Sequence, residues 1–191
     1  TVRVLNQSLE PDEVMDRILE NVKRVVPHDT ASIMLIENGQ TRIARHLGFA
    51  ERGLSEQVMA VRFAVNDSKK FLGMAETGKP VRVLDTAVSP DWTPVGDLNW
   101  IRSYLGAPIM HGDQLIGVLN LDSAEAGFFT ETHATRLQAF ADQAAVAIKN
   151  AQLFADEREQ RTFAEVLREI AAVVNLTLDP EDVLESILQN I

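Results

Sequence analysis

Residues able to do chemistry are few and scattered. The chain of 191 residues has no cysteine. That removes disulfides, cysteine–zinc sites, thiol nucleophiles and thioether-linked chromophores. The four histidines, His28, His46, His111 and His133, show no metal-ligand spacing. No nucleophile–base pair and no phosphate loop is present, and Gly73 and Gly78 do not make one. The stretch richest in recognition chemistry is residues 85–102, DTAVSPDWTPVGDLNWIR, which holds both tryptophans. A connection this long in a compact domain is usually a binding loop or a lid. Trp92 and Trp100 either face a ligand or pin the loop to the core. Arg102 suits a carboxylate or a phosphate, or else pairs with one of the chain's own acids.

The bulk composition bounds the partners. Hydrophobic residues make up 46%, enough for a packed core. The net charge of −10, from 18 basic and 28 acidic side chains, disfavours nucleic acid and anionic membrane. No apolar run approaches the roughly 20 residues of a membrane span, and the sequence does not open on a leader-like pattern. A cytoplasmic location is the expectation.

Around the long loop stand the elements that must position it. Residues 103–122 read as a hairpin: two apolar runs, 104–110 and 115–121, flank the polar break 111–114. Neither run alternates cleanly, so both faces are expected to be covered. Upstream, Val14, Ile18, Leu19, Val22 and Val25 make an apolar helical stripe, with Pro11 in its first turn and Pro27 as its stop. Residues 31–37 and 41–47 read as a second hairpin about Asn38-Gly39, with Ile43 and Arg45 on one face and Arg42, Ala44 and His46 on the other. Residues 54–60 suit a short helix and 61–65 a short strand or an extended segment. A helix over 69–76 fits a cap at Asp67 or Ser68 and a stop at Gly78. Residues 81–84 suit a short strand.

From Glu131 to about Val174 the helical pattern runs without Gly or Pro, with Thr130 as its cap. At about 1.5 Å per residue that is roughly 60 Å. Leu137, Ala141, Ala144, Ile148 and Ala151 share one register. A polar block, residues 156–161, separates them from a new apolar phase at Phe163, Val166, Leu167, Ile170, Val173 and Val174. The helix is therefore expected to change partners near residue 156. Residues 4–22, VLNQSLEPDEVMDRILENV, align without gaps to residues 173–191, VVNLTLDPEDVLESILQNI. A period of domain size indicates tandem duplication, with the second copy cut short.

Three stretches carry a family resemblance. IRSYLGAPI (residues 101–109) resembles the R-S-x-L-G-x-P strand of GAF domains, and LIGVLNLDS (115–123) resembles their I-G-x-L strand. Residues 129–154, from FTETHATRLQAFADQAAVAIKN through AQLF, resemble their exit helix. The resemblance implies an α/β (α+β) fold of the GAF-like, PAS-related kind. It has an antiparallel central sheet flanked by helices, with a long C-terminal connecting helix. A PAS domain is the nearest rival. The expected organisation is a sensor domain over 4–154, a helical connector over 155–172 and the first helix of a second repeat over 173–191. A pocket between the sheet and the middle helices and loop is implied, with Phe63, Phe71, Trp92, Trp100, Arg102, Ser103 and Tyr104 as its ligand-binding candidates.

Relatives bind cyclic nucleotides, bilins, haem or small metabolites, or bind nothing and dimerise. Without cysteine there is no covalent bilin and no cysteine-based sulfoxide reduction. The cyclic-nucleotide signature fits at Asn120 and Phe129 and departs at Leu121, His133 and Ala134, so cyclic nucleotide is disfavoured. The expected function is regulatory, not enzymatic. A small-molecule ligand would be sensed, its state passed along the exit helix to a downstream effector domain outside this chain, and the protein would pair as a homodimer through its helices. The Ala-rich helix also suits a ligand-free structural dimerisation module.

Overall fold

A computed structural model describes residues 11–177. By its internal contacts the chain divides into two units, the first ending at Ala151 and the second beginning at Gln152. The first unit contains α1 (Pro11–Lys23), β1 (Thr30–Glu37), β2 (Gln40–Leu47), α2 (Ser55–Ala60), α3 (Lys69–Thr77), β3 (Val81–Val83), β4 (Ser103–His111) and β5 (Gln114–Ser123). It also holds the start of α4, which spans Glu131–Thr177. The strands form one antiparallel sheet of order β2-β1-β5-β4-β3. Within the proposed repeat, the parts at residues 4–10 and 178–191 lie outside the described residues.

Both faces of the sheet are buried, which is why the central runs do not alternate apolar with polar. Period-two geometry sends successive side chains to opposite cores. Ile33 and Leu35 of β1, Leu105, Ala107 and Ile109 of β4, and Leu119 and Leu121 of β5 pack under α1 and the first turns of α4. Met34 and Val118 point to the second core, built with Phe49, Val58, Phe71, Met74 and Leu98 from α2, α3 and the loops. Leu137, Ala141, Ala144, Ile148 and Ala151 are all buried, as their shared register required.

Turn chemistry fixes the registers. Asn38 and Gly39 take φ of 52° and 75°, the left-handed pair of a two-residue hairpin turn. The β4–β5 loop is tighter than the polar break suggested, because His111 and Gln114 pair in the ladder and only Gly112 and Asp113 turn. One facing expectation fails at a bulge. Ile33 pairs with Arg45 and Met34 with Ile43, which leaves Ala44 as the extra residue. Ile43 therefore joins the second core, while Arg45 reaches the other side to pair with Asp12 and Asp16 of α1.

Residues 61–65 make no strand of their own beyond a single bridge of Ala64 to Gln40. Ser68 occupies the cap position of α3 but makes no side-chain cap bond, whereas Gly78 closes the helix at φ 61° with its N–H on Met74 O, 2.9 Å. Thr130 Oγ1 accepts from His133 N (3.3 Å) and His133 Nδ1 accepts from Thr130 N (3.4 Å). The imidazole thus completes a reciprocal capping box that the residue types alone did not suggest. Among the described residues no helix is long and apolar enough to cross a membrane.

Candidate functional site

A cavity of about 60 Å³ lies between the second face of the sheet and the layer of α2, α3 and the 85–102 loop. Its floor is the cavity-facing set of the central strands: Ser32 and Met34 of β1, Asn120 and Asp122 of β5, and Tyr104 of β4. These positions follow from the strand period, since Leu119 and Leu121 between them are committed to the opposite core.

The floor is polar and internally bonded. Tyr104 donates its hydroxyl to Asn120 Oδ1 at 2.7 Å, and Asn120 Nδ2 donates to Ser32 Oγ at 3.3 Å. Gly106, two residues along β4, makes this possible, because a Cβ there would collide with the Tyr104 hydroxyl. Burial pushes the Tyr104 phenol well above its ordinary pKa, with the nearby Asp122 charge adding to the shift. Asp122 is buried and takes a 2.9 Å hydrogen bond from the Thr30 hydroxyl. Burial pushes its carboxyl up to about 7, against the opposing effects of Thr30 and Lys70.

Lys70 supplies the other charge. It enters from the first turn of α3, where a cation runs against the helix dipole. Its Nζ stands 4.4 Å from the Trp92 ring centroid, 4.8 Å from Tyr104, 5.2 Å from Phe71 and 5.5 Å from Phe63. Four aromatic rings therefore enclose one ammonium. Among the described residues no hydrogen-bond acceptor or ion-pair partner reaches it. Desolvation lowers its pKa to about 8, with Asp122 pulling the other way.

Of the residues singled out in the sequence, Phe63, Phe71, Trp92 and Tyr104 come together on this wall. The other three go elsewhere. Trp100 packs edge-on against Phe49 at 6.4 Å, with the Arg52 guanidinium 3.9 Å above its ring, so it pins the loop. The Arg102 guanidinium is engaged by Asp85 (Nε to Oδ1 3.1 Å, a terminal nitrogen to Oδ2 2.9 Å), a fork-to-fork pair that joins the two ends of the long loop. Arg102 holds the Asp85 carboxyl below its usual range, chiefly by hydrogen bonding. Ser103 is fully buried and donates to Glu125 O at 2.8 Å. The residues that sequence reasoning passed over are Lys70, Asp122 and Ser32, while Asn120 entered only as a match to the cyclic-nucleotide signature. Two signals were present: a lysine pair opening a helix at its positive end, and an aspartate ending a run of buried strand residues.

Among the described residues no group of three or more His, Cys, Asp or Glu side chains could hold a metal ion. The site is therefore a small chamber walled by aromatic rings with a polar floor, under a loop clasped at its base. A five-stranded antiparallel sheet with such a chamber on one face and the start of an exit helix on the other is the architecture that the family resemblance implied. The chain belongs to the GAF family, whose domain model matches residues 8–149.

The anaerobic nitric oxide reductase transcription regulator NorR of Vibrio vulnificus is 24% identical over 155 residues, covering 78% of this chain and 29% of the relative. The chain thus spans under a third of that protein's length. Among solved structures, the GAF domain/HD domain protein from Geobacter sulfurreducens superposes with a TM-score of 0.68 at 17% identity, covering 79% of this chain and 99% of that one. The type II free methionine-R-sulfoxide reductase from Thermoplasma acidophilum gives 0.60 at 18% identity, covering 73% and 92%. Both structural likenesses bear on the fold alone.

Proposed function

We propose that this chain is the sensor module of a cytoplasmic signal-transduction protein. It binds a small molecule in the chamber over β5, passes the bound state through α4 to a downstream effector domain, and acts as a homodimer. The observation that carries this reading is the chamber itself. A partly buried Lys70 that no acceptor among the described residues reaches and a buried Asp122 are costly for a fold that needs only to pack. Binding is a function that retains such groups.

GAF domains serve as regulatory modules in signalling proteins, and the NorR relative is by its name a transcription regulator. The reductase neighbour does not lead to an enzyme here. Without cysteine, the sulfoxide-reducing chemistry that the family resemblance implies has no nucleophile. The covalent attachment of a bilin through cysteine is removed in the same way, and cyclic nucleotide is disfavoured because Leu121, in place of the signature lysine, is committed to the opposite core.

Native and denaturing mass spectra of the freshly purified chain test the reading. The expected native spectrum shows dimers carrying an extra mass that denaturation releases. A bare chain that gains no mass from any of a panel of metabolites removes the sensor reading. Bare dimers would instead support a ligand-free dimerisation module, which the exposed apolar stripe on the second unit favours. Phe163, Val166, Leu167 and Ile170 lie there at helical spacing and are all solvent-exposed.

A further inference from the structure

We infer that the chamber takes a small organic cation, a protonated or quaternary alkylamine, and that Lys70 is its built-in competitor. The inference rests on the sensor reading and names the ligand class. The faces of aromatic rings carry negative electrostatic potential, and several of them around one point attract a cation. Phe63, Phe71, Trp92 and Tyr104 all lie within 5.5 Å of such a point, which the Lys70 ammonium now holds.

The two charged residues of the lining are Lys70 and Asp122. They are not equivalent. Asp122 is fixed in a central strand, whereas Lys70 hangs on a flexible stem from the first turn of α3. When Lys70 swings out, the remaining wall carries four ring faces, a carboxyl group and no cation. That is the complement of an alkylammonium head. An anion would meet ring faces and the Asp122 carboxyl instead, and Arg102, the other cation at the loop, is taken by Asp85.

The chamber offers about 60 Å³ with the Lys70 side chain in place, and a small cationic head takes that space together with the volume that the lysine ammonium vacates. The internal competitor also makes a switch. A binding cation expels the Lys70 side chain from the cage, so occupancy is reported at the start of α3 and in the loop that carries Trp92.

Calorimetric titration of the full chain with tetramethylammonium chloride, and separately with sodium acetate, tests the inference. Removing the competitor raises the competent fraction, so Lys70→Ala is expected to bind tetramethylammonium about tenfold or more tighter than the unaltered chain. Lys70→Gln keeps most of the stem, guards against a folding defect in the alanine variant, and is expected to shift affinity the same way. Trp92→Ala and Asp122→Asn are each expected to weaken binding by about tenfold. Equal or weaker tetramethylammonium binding in both Lys70 variants overturns the inference. So does acetate binding that Lys70→Ala abolishes, although that outcome keeps the sensor reading with an anionic ligand. If neither ion binds any variant the cation class is wrong, and the mass spectra then decide separately whether the chamber binds anything.

Discussion

At the scale of single residues, the chamber opposes Lys70 and Asp122 to ordinary burial rules. Each is desolvated, and each has its pKa moved toward neutrality. The consequence for stability has opposite signs on the two sides of neutral pH. Asp122 rises from 3.8 to about 7 on folding, so between those values the folded state holds the extra proton and stability falls as pH rises. Lys70 falls from 10.5 to about 8, so between those values the unfolded state holds the extra proton and stability rises with pH. The Asp29 carboxylate adds to the penalty on ionised Asp122, and the Asp122 charge in turn helps to raise the neighbouring Tyr104 phenol. Together the pair gives a stability minimum between about 7 and 8. Urea midpoints over a pH series check this. Asp122→Asn is expected to flatten the acid limb and Lys70→Met the alkaline limb. Each also lets desolvation shift the remaining partner further, because the two charges oppose it in one another. The aromatic half of this candidate chamber was anticipated through the pocket that the family resemblance implies, which already included Phe63, Phe71, Trp92 and Tyr104. The polar half was not. Lys70 reads as surface charge, and Asp122 declares itself only once strand register shows which face it occupies.

At the scale of elements, burial on both sheet faces explains most of what the sequence did and did not reveal. The strands were recognisable as apolar runs bounded by turn residues, but a run that is buried on both faces hides its register. The bulge at Ala44 shows the limit, since one inserted residue sends Arg45 to α1 and Ile43 to the chamber. A bulge follows from pairing geometry that local composition does not encode. The start of α4 was the opposite case. An apolar register repeated over Leu137, Ala141, Ala144, Ile148 and Ala151 is long enough to fix the buried face. Leu137 is fully buried in the core beneath this helix. Leu137→Ala is therefore expected to cost about 2–5 kcal/mol. Chemical denaturation followed by helical circular dichroism measures it. A loss below about 0.5 kcal/mol would mean that α4 does not hold the sheet as described.

At the scale of the whole molecule, the described residues of the second unit form a single stretch of helix that leaves its apolar side chains exposed. Arg161 and Glu157 pair at 2.6 Å across one turn of α4, and past them Phe163, Val166, Leu167 and Ile170 remain 65%, 46%, 50% and 54% exposed. Spacings of three, one and three residues place them on one helical stripe. A stripe of this kind is self-complementary, since two copies related by a twofold axis cover the same face on each other. The dimer of the proposed function would form here, and the prediction is quantitative. Burying one large apolar side chain contributes about 1.5–3 kcal/mol, and twofold symmetry counts every substitution twice. The double variant Phe163→Ser with Leu167→Ser is then expected to raise the dimer dissociation constant by at least about a hundredfold, because every 1.4 kcal/mol is tenfold. Sedimentation equilibrium over a concentration series measures this directly. The same variant should keep the tetramethylammonium response of the chamber, which is built wholly from residues of the first unit. An unaltered chain that stays monomeric at every concentration would remove the dimer. A dimer that survives both substitutions would place its interface away from this stripe and leave α4 free to pass the chamber's state to a partner of another kind.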